Sequence, residues 1–81
     1  MDRFEKGMAV TSKTGHDFGK TYIIYEVDEK YIYLVDGEIR KIANPKKKKK
    51  KHVQIIKQIM DIENADDVKI KRWLKLLKMS E

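Results

Sequence analysis

The residues in this sequence best equipped for chemistry are cations. Lys46, Lys47, Lys48, Lys49, Lys50 and Lys51 stand in an unbroken row between Pro45 and His52. A second group lies in the stretch SKTGHDFGK, where Lys13, His16 and Lys20 are interspersed with Gly15 and Gly19. Arg40 and Lys41 form a third. An ammonium binds anions as a point charge, and a planar guanidinium matches phosphate and guanine edges. Glycine lets a backbone reach positive φ and come close to a ligand. These types together point to capture of a polyanion, not to bond making. His16 has no Cys, Asp or Glu partner at a spacing suited to a metal. His52 reads as a phosphate or strand-end donor. No Gly-x-Ser-x-Gly, P-loop or metal quartet occurs. No catalytic residue, metal site or cofactor is therefore expected, and the chain is not expected to be an enzyme.

The charge is concentrated. The chain has 81 residues and a net charge of +6, which the six lysines of the run alone supply, so the remainder balances to zero. A local excess of this kind predicts a local contact with an acidic partner. Six neighbouring ammonium groups repel one another and stay extended and hydrated until an anion neutralises them. Three of them on duplex phosphates would give a slope of log affinity against log salt of about −2.7. Lysine offers no bidentate reading of base edges, so the run supplies affinity and little specificity. The plainer alternative is a solvated spacer. A nuclear import signal fits poorly, because the run lies between two apparent strands. For Arg40 the alternative to phosphate contact is a salt bridge to Asp36 or Glu38.

The elements that must position these cations are mostly strands. A chain of this length is one domain at most and buries only about 60% of its unfolded surface, which disfavours an enclosed cavity for a small-molecule substrate. The absence of cysteine excludes disulfides and thiolate metal sites and fits a reducing cytosol. The N-terminal MDRFEKGMAV lacks the apolar core of a signal peptide, and the apolar run YIYLV is far short of a membrane span. A soluble cytoplasmic protein is expected. Residues 7–13 alternate, with Met8, Val10 and Ser12 on one face. TYIIYEV and YIYLV are rich in β-branched and aromatic residues. Asp36-Gly37 signals a two-residue hairpin, EIRKI a return strand, and Asn44-Pro45 its end. After the lysines, HVQII fits a fifth strand and IIKQIM fits a helix equally well. A final helix begins at an Asn64 or Asp66 cap and carries Ile70, Trp73, Leu74 and Leu77 as one apolar stripe. The stripe is expected to dock on the strands; a membrane-surface or partner-binding helix is the alternative. Tyr22, Tyr25, Tyr31 and Tyr33 cover the strand faces, with stacking of unpaired bases on Tyr31 and Tyr33 as the competing role. Four or five short strands with tight turns indicate a small antiparallel barrel, whose closure removes open edges.

The stretch VTSKTGHDFGKTYIIYEVDEKYIYLVDGEIRKI resembles a KOW motif through Val10, Gly15, Gly19, Lys20, Ile24, Val27 and the Asp36-Gly37 turn. With the continuation DGEIRKIANPKKKKKKHVQ it is similar to the KOW-containing large-subunit ribosomal proteins of archaeal and eukaryotic type and their small bacterial relatives. The likeness covers roughly residues 5–54. Thr21 and Tyr22 stand where many such motifs carry a further glycine. The resemblance implies a mainly β, SH3-like antiparallel barrel of four to five strands over residues 1–56, including a basic loop at 46–51. A connector at 57–64 and an amphipathic C-terminal helix at 65–80 complete the expected layout. It also implies binding of structured ribosomal RNA. With the glycine loop favoured by the resemblance and the others by their own chemistry, the expected contacts are Lys13, Gly15, His16, Gly19, Lys20, Arg40, Lys41, Lys46 to Lys51 and His52. A protein partner on the ribosome or the transcription machinery is the alternative.

Overall fold

The computed structural model describes residues 4–79. The order is β1 (Met8–Ser12), β2 (Thr21–Val27), β3 (Tyr31–Val35), β4 (Lys46–Lys49), a 3-10 turn (Lys50–His52), β5 (Val53–Ile59) and α1 (Asp67–Met79). All strand pairs are antiparallel, in the order β4-β3-β2-β1-β5. The first four strands form a meander, and β5 returns to the far side beside β1. The sheet is barrel-like but not closed, since β4 and β5 share no ladder. The mainly β antiparallel sheet of five strands with a C-terminal helix is as expected; only the closure is not, and the curled sheet keeps two edges. Two irregularities bend it. Tyr25 is an extra residue in β2 opposite β3, and the β1–β5 register shifts between Met8 and Ala9.

Strand alternation serves two cores. Met8, Val10, Tyr22, Ile24, Ile32, Leu34 and Val53 pack together on one face of the sheet, the inside of the curl. Ala9, Ile23 and Val35 point the other way and lie beneath Ile70 and Leu74 of α1, with Ile62 beside them. Trp73 and Leu77 pack at the margin of this second core. The helix starts where Asp66 Oδ1 accepts the Lys69 N–H at 2.8 Å, a side-chain cap on an otherwise unpaired donor. Truncating Ile70 or Leu74 to alanine removes a buried aliphatic chain, a change that costs about 2–5 kcal/mol.

Three local expectations are corrected. Asp36-Gly37 is not a two-residue hairpin, and EIRKI is not a strand. Asp36 Oδ1 accepts the N–H groups of Glu38 (2.9 Å) and Arg40 (2.8 Å), while Asp67 Oδ1 accepts that of Ile42 (2.8 Å). Donors that a ladder would need are taken by carboxylates, so residues 36–45 form one loop. Gly37 has φ +77°, and a Cβ there would collide with the Asp67 carbonyl, which shows how closely the loop lies on the first turn of α1. Pro45 therefore precedes a strand instead of ending one. Next, the lysine run is no loop: its first four residues are β4. Finally, β5 continues to Ile59, so the helical alternative for IIKQIM does not form.

Candidate nucleic-acid interface

β4 is an edge strand of nothing but lysine. Its register places Lys46 opposite Leu34, Lys47 opposite Tyr33, Lys48 opposite Ile32 and Lys49 opposite Tyr31. Directly opposed residues share a face. Lys46 and Lys48 therefore follow Leu34 and Ile32 inward, while Lys47 and Lys49 follow the tyrosines outward. Lysines on an edge also discourage pairing with another chain. The row that is uniform in sequence is thus divided by pleat into two sets with different surroundings.

The inward set closes one mouth of the curl with side chains. Lys48 Nζ donates to Asp17 Oδ1 at 3.2 Å and to the Thr14 carbonyl at 3.1 Å. Its side chain is 10% exposed, and that of Asp17 is 11% exposed. Lys46 Nζ lies 3.8 Å from Asp17 Oδ2. Ser12 Oγ donates to Asp17 Oδ1 at 3.0 Å, and the Tyr22 hydroxyl donates to Oδ2 at 3.3 Å. Burial pushes the Asp17 carboxyl up. Hydrogen bonds from Lys48 and Ser12 and the charges of both lysines outweigh that push and hold it below its ordinary value. Burial, then the Asp17 charge and hydrogen bond, push the Tyr22 phenol up to about 12. Tyr22 fills the inner core and anchors the loop carboxylate.

The glycine loop is built around that carboxylate. Gly15 and Gly19 both take positive φ, at 81° and 87°. The Gly19 N–H donates to the Ser12 carbonyl at 2.8 Å, and the Lys13 N–H to the His52 carbonyl at 2.9 Å, which ties the loop to the 3-10 turn. Lys13 and His16 are exposed. So is Phe18, at 73%, an aromatic ring held in solvent between the two glycines. Sequence reasoning passed over Phe18; the available signal was a lone aromatic inside a polar, glycine-bounded loop.

Lys20 Nζ lies 3.5 Å from Asp36 Oδ2 and 5.5 Å from the Tyr22 ring centre. Burial raises the Asp36 carboxyl, but the N–H groups of Glu38 and Arg40 and then Lys20 bring it below its ordinary value. Glu38 pairs with Lys71 at 3.1 Å. Both acids weighed as partners of Arg40 thus pair with lysines. Arg40 is half-buried on the 36–45 loop, its positive charge felt at the Tyr22 phenol, and Lys41 is exposed beside it.

The outward set lies on the part of the sheet that α1 leaves open. Lys47 Nζ sits 4.2 Å from the Tyr31 ring centre, a cation–π contact. The Tyr33 hydroxyl donates to Asp28 Oδ2 at 2.9 Å. The Tyr31 N–H, then that hydroxyl, hold the Asp28 carboxyl low, and the same hydrogen bond raises the Tyr33 phenol. Lys50 Nζ donates to the Glu29 carbonyl at 3.1 Å and lies 5.8 Å from the Phe4 ring centre. Lys49 and Lys51 are exposed. His52 is half-buried at the end of the 3-10 turn, just before β5. The sequence-derived residues therefore separate. Lys46 and Lys48 pair with Asp17, on the loop that also carries Lys13, Gly15, His16, Gly19 and Lys20, with Lys20 turned to Asp36. Lys47, Lys49 and Lys51 lie beside Tyr31, Lys50 is bonded to the Glu29 carbonyl, His52 ends the 3-10 turn, and Arg40 and Lys41 stand apart on the 36–45 loop. No helix among the described residues is long and apolar enough to cross a membrane, and the stripe a membrane-surface helix would use is turned onto the sheet. Neither a protein-family model nor a curated protein sequence matches the chain.

Proposed function

We propose that the chain is an RNA-binding module that grips structured ribosomal RNA through β4, the 3-10 turn and the glycine loop, with Arg40 and Lys41 at the border. The observation that carries this reading is the composition of the uncovered sheet face, where Tyr31 and Tyr33 stand directly across from Lys49 and Lys47. Aromatic rings supply stacking surfaces for bases and ammonium groups supply phosphate contacts, which together are what β-surface RNA binders use. The likeness to KOW proteins agrees with it. The division of the run sharpens it: Lys47, Lys49 and Lys51 carry the phosphate contacts, while Lys46 and Lys48 hold the loop. The test is titration with a structured RNA at several salt concentrations. Replacing Lys47, Lys49 and Lys51 with glutamine should lower the salt slope by about 2–3, at roughly 0.7–0.9 per contact. Replacing Lys46 and Lys48 should lower stability and move the slope far less. No binding at low salt, or an unchanged slope in the outward triple variant, would sink the reading.

A second reading, a protein-interaction module, has its own observation. Ile59 (57% exposed) and Leu76 (59% exposed) border the half-buried Trp73 and Met60 along the β5–α1 junction. A partner held there would survive RNase treatment and be lost on Leu76→Glu.

A further inference from the structure

Within the proposed RNA surface the outer face has a hollow beside Tyr31. It measures about 410 Å³ and is lined by Glu29, Lys30, Tyr31, Lys49, Lys50 and Lys51. A neighbouring hollow shares Glu29, Lys30 and Tyr31 but has Asp28 and Lys47 in place of the later lysines. Tyr31 therefore stands on the divide. Lys47 lies over its ring at 4.2 Å, and the Lys49 to Lys51 side of the divide is the more basic of the two.

We propose that the hollow beside Tyr31 is a subsite for one unpaired nucleotide of single-stranded RNA, its base on the Tyr31 ring and its phosphate between Lys49 and Lys51. This rests on the RNA-binding reading and specifies which form of RNA the outer face takes. Three features carry it. A tyrosine ring offers its face to any base, but only to a base that has left its stack. The hollow has room for a nucleotide and none for a helix. The charges are also arranged with a direction. Glu29 lies on the β2–β3 turn and repels phosphate, whereas Lys49 and Lys51 lie at the end of β4 and in the 3-10 turn and attract it. Lys50, also in the lining, ties the two sides together through its hydrogen bond to the Glu29 carbonyl. Lys30 adds a cation on the turn side. A strand entering the hollow is thus turned with its backbone toward the lysine edge and its base toward the sheet.

The experiment is fluorescence anisotropy with a labelled short oligouridylate, alone and annealed to oligoadenylate, against the full chain. Tyr31→Ala should weaken single-strand binding by about 5- to 150-fold, the usual effect of removing one stacked base. Its salt slope and its duplex affinity should stay at the wild-type value. Tyr31→Phe should bind as the wild type does, because stacking needs the ring and not the hydroxyl. Lys49→Gln with Lys51→Gln should lower the single-strand slope by about 1.4. If the wild type binds the single strand and Tyr31→Ala binds it within twofold, the subsite is wrong while the RNA reading stands. Equal losses on single strand and duplex would also overturn it. A wild type that binds neither form at low salt removes the RNA reading itself. Should Tyr31→Ala melt early, Tyr31→Phe and the lysine pair still decide the question.

Discussion

Asp17→Asn is the most informative single change in this molecule. It keeps the side-chain shape, removes the charge and turns one of the two accepting oxygens into an N–H donor. Lys48 Nζ, 3.2 Å away on a side chain just 10% exposed, would then sit beside a neutral amide and the Thr14 carbonyl. Unit charges at that separation attract by about 5 kcal/mol at an effective dielectric of about 20, before the cost of desolvating them is subtracted. Removing one partner of a buried pair costs about 3–5 kcal/mol, because the other charge is left behind. The pair lies at a mouth of the curl with some access to water, so the low end, about 3 kcal/mol, is expected. That is a large share of the roughly 5–15 kcal/mol that holds a domain together. For a chain this size it lowers Tm by about 12–24 °C. Adding Lys48→Met to Asp17→Asn should restore at least half the loss, since the orphaned cation goes with it. Thermal and urea melts of the four members of this cycle measure the coupling. The pH dependence follows from the lowered Asp17 carboxyl. Its contribution is present above the unfolded value of about 3.9 and is lost as pH falls through the folded one, so wild type and Asp17→Asn should converge in acid. A variant within about 0.5 kcal/mol of wild type at neutral pH, or losses that simply add, would refute the buried-pair account.

Two further outcomes can be checked on the same instruments. Gly37→Ala should cost about 2–4 kcal/mol and loosen α1, read from Trp73 emission. It combines a positive φ with a collision against the helix, whereas Gly19→Ala, also at positive φ but with nothing within 4 Å of a new Cβ, should cost only about 1–2 kcal/mol. Equal losses would mean that the loop–helix contact contributes nothing. One tyrosinate absorbance step at about 12 should vanish in Tyr22→Phe. Because the folded phenol is raised, its contribution is intact below the unfolded value near 10 and is lost as pH rises through about 12, so Tyr22→Phe should flatten the alkaline limb of stability.

The strands β1 to β3 and the helix were legible because their residues differ from one another. Alternation of Met8, Val10 and Ser12, the β-branched and aromatic runs, and the Ile70–Leu74 stripe each carry a period. β4 carries none. Six identical side chains have no hydrophobic period, and their strand state is imposed by the free edge of β3. EIRKI has the right residues for a strand, yet Asp36 and Asp67 claim its N–H groups, one of them from 25 positions away in sequence. The lysines were recognised as the charged element, but their division between Asp17 and Tyr31 depends on pairing with Tyr31–Val35. Phe18 has no periodic spacing to report it, and only its isolation in a polar, glycine-bounded loop marks it in the sequence.

A strand of identical residues also lacks a register of its own. Sliding β4 by one position along β3 puts lysine opposite every tyrosine and every aliphatic residue as before, except at its ends. Its alignment is held from outside, by Pro45 at its start and by the bond from the Lys50 N–H to the Lys30 carbonyl at its end. Adding or deleting a single lysine therefore leaves the alternating faces intact and shifts the length change into the 3-10 turn.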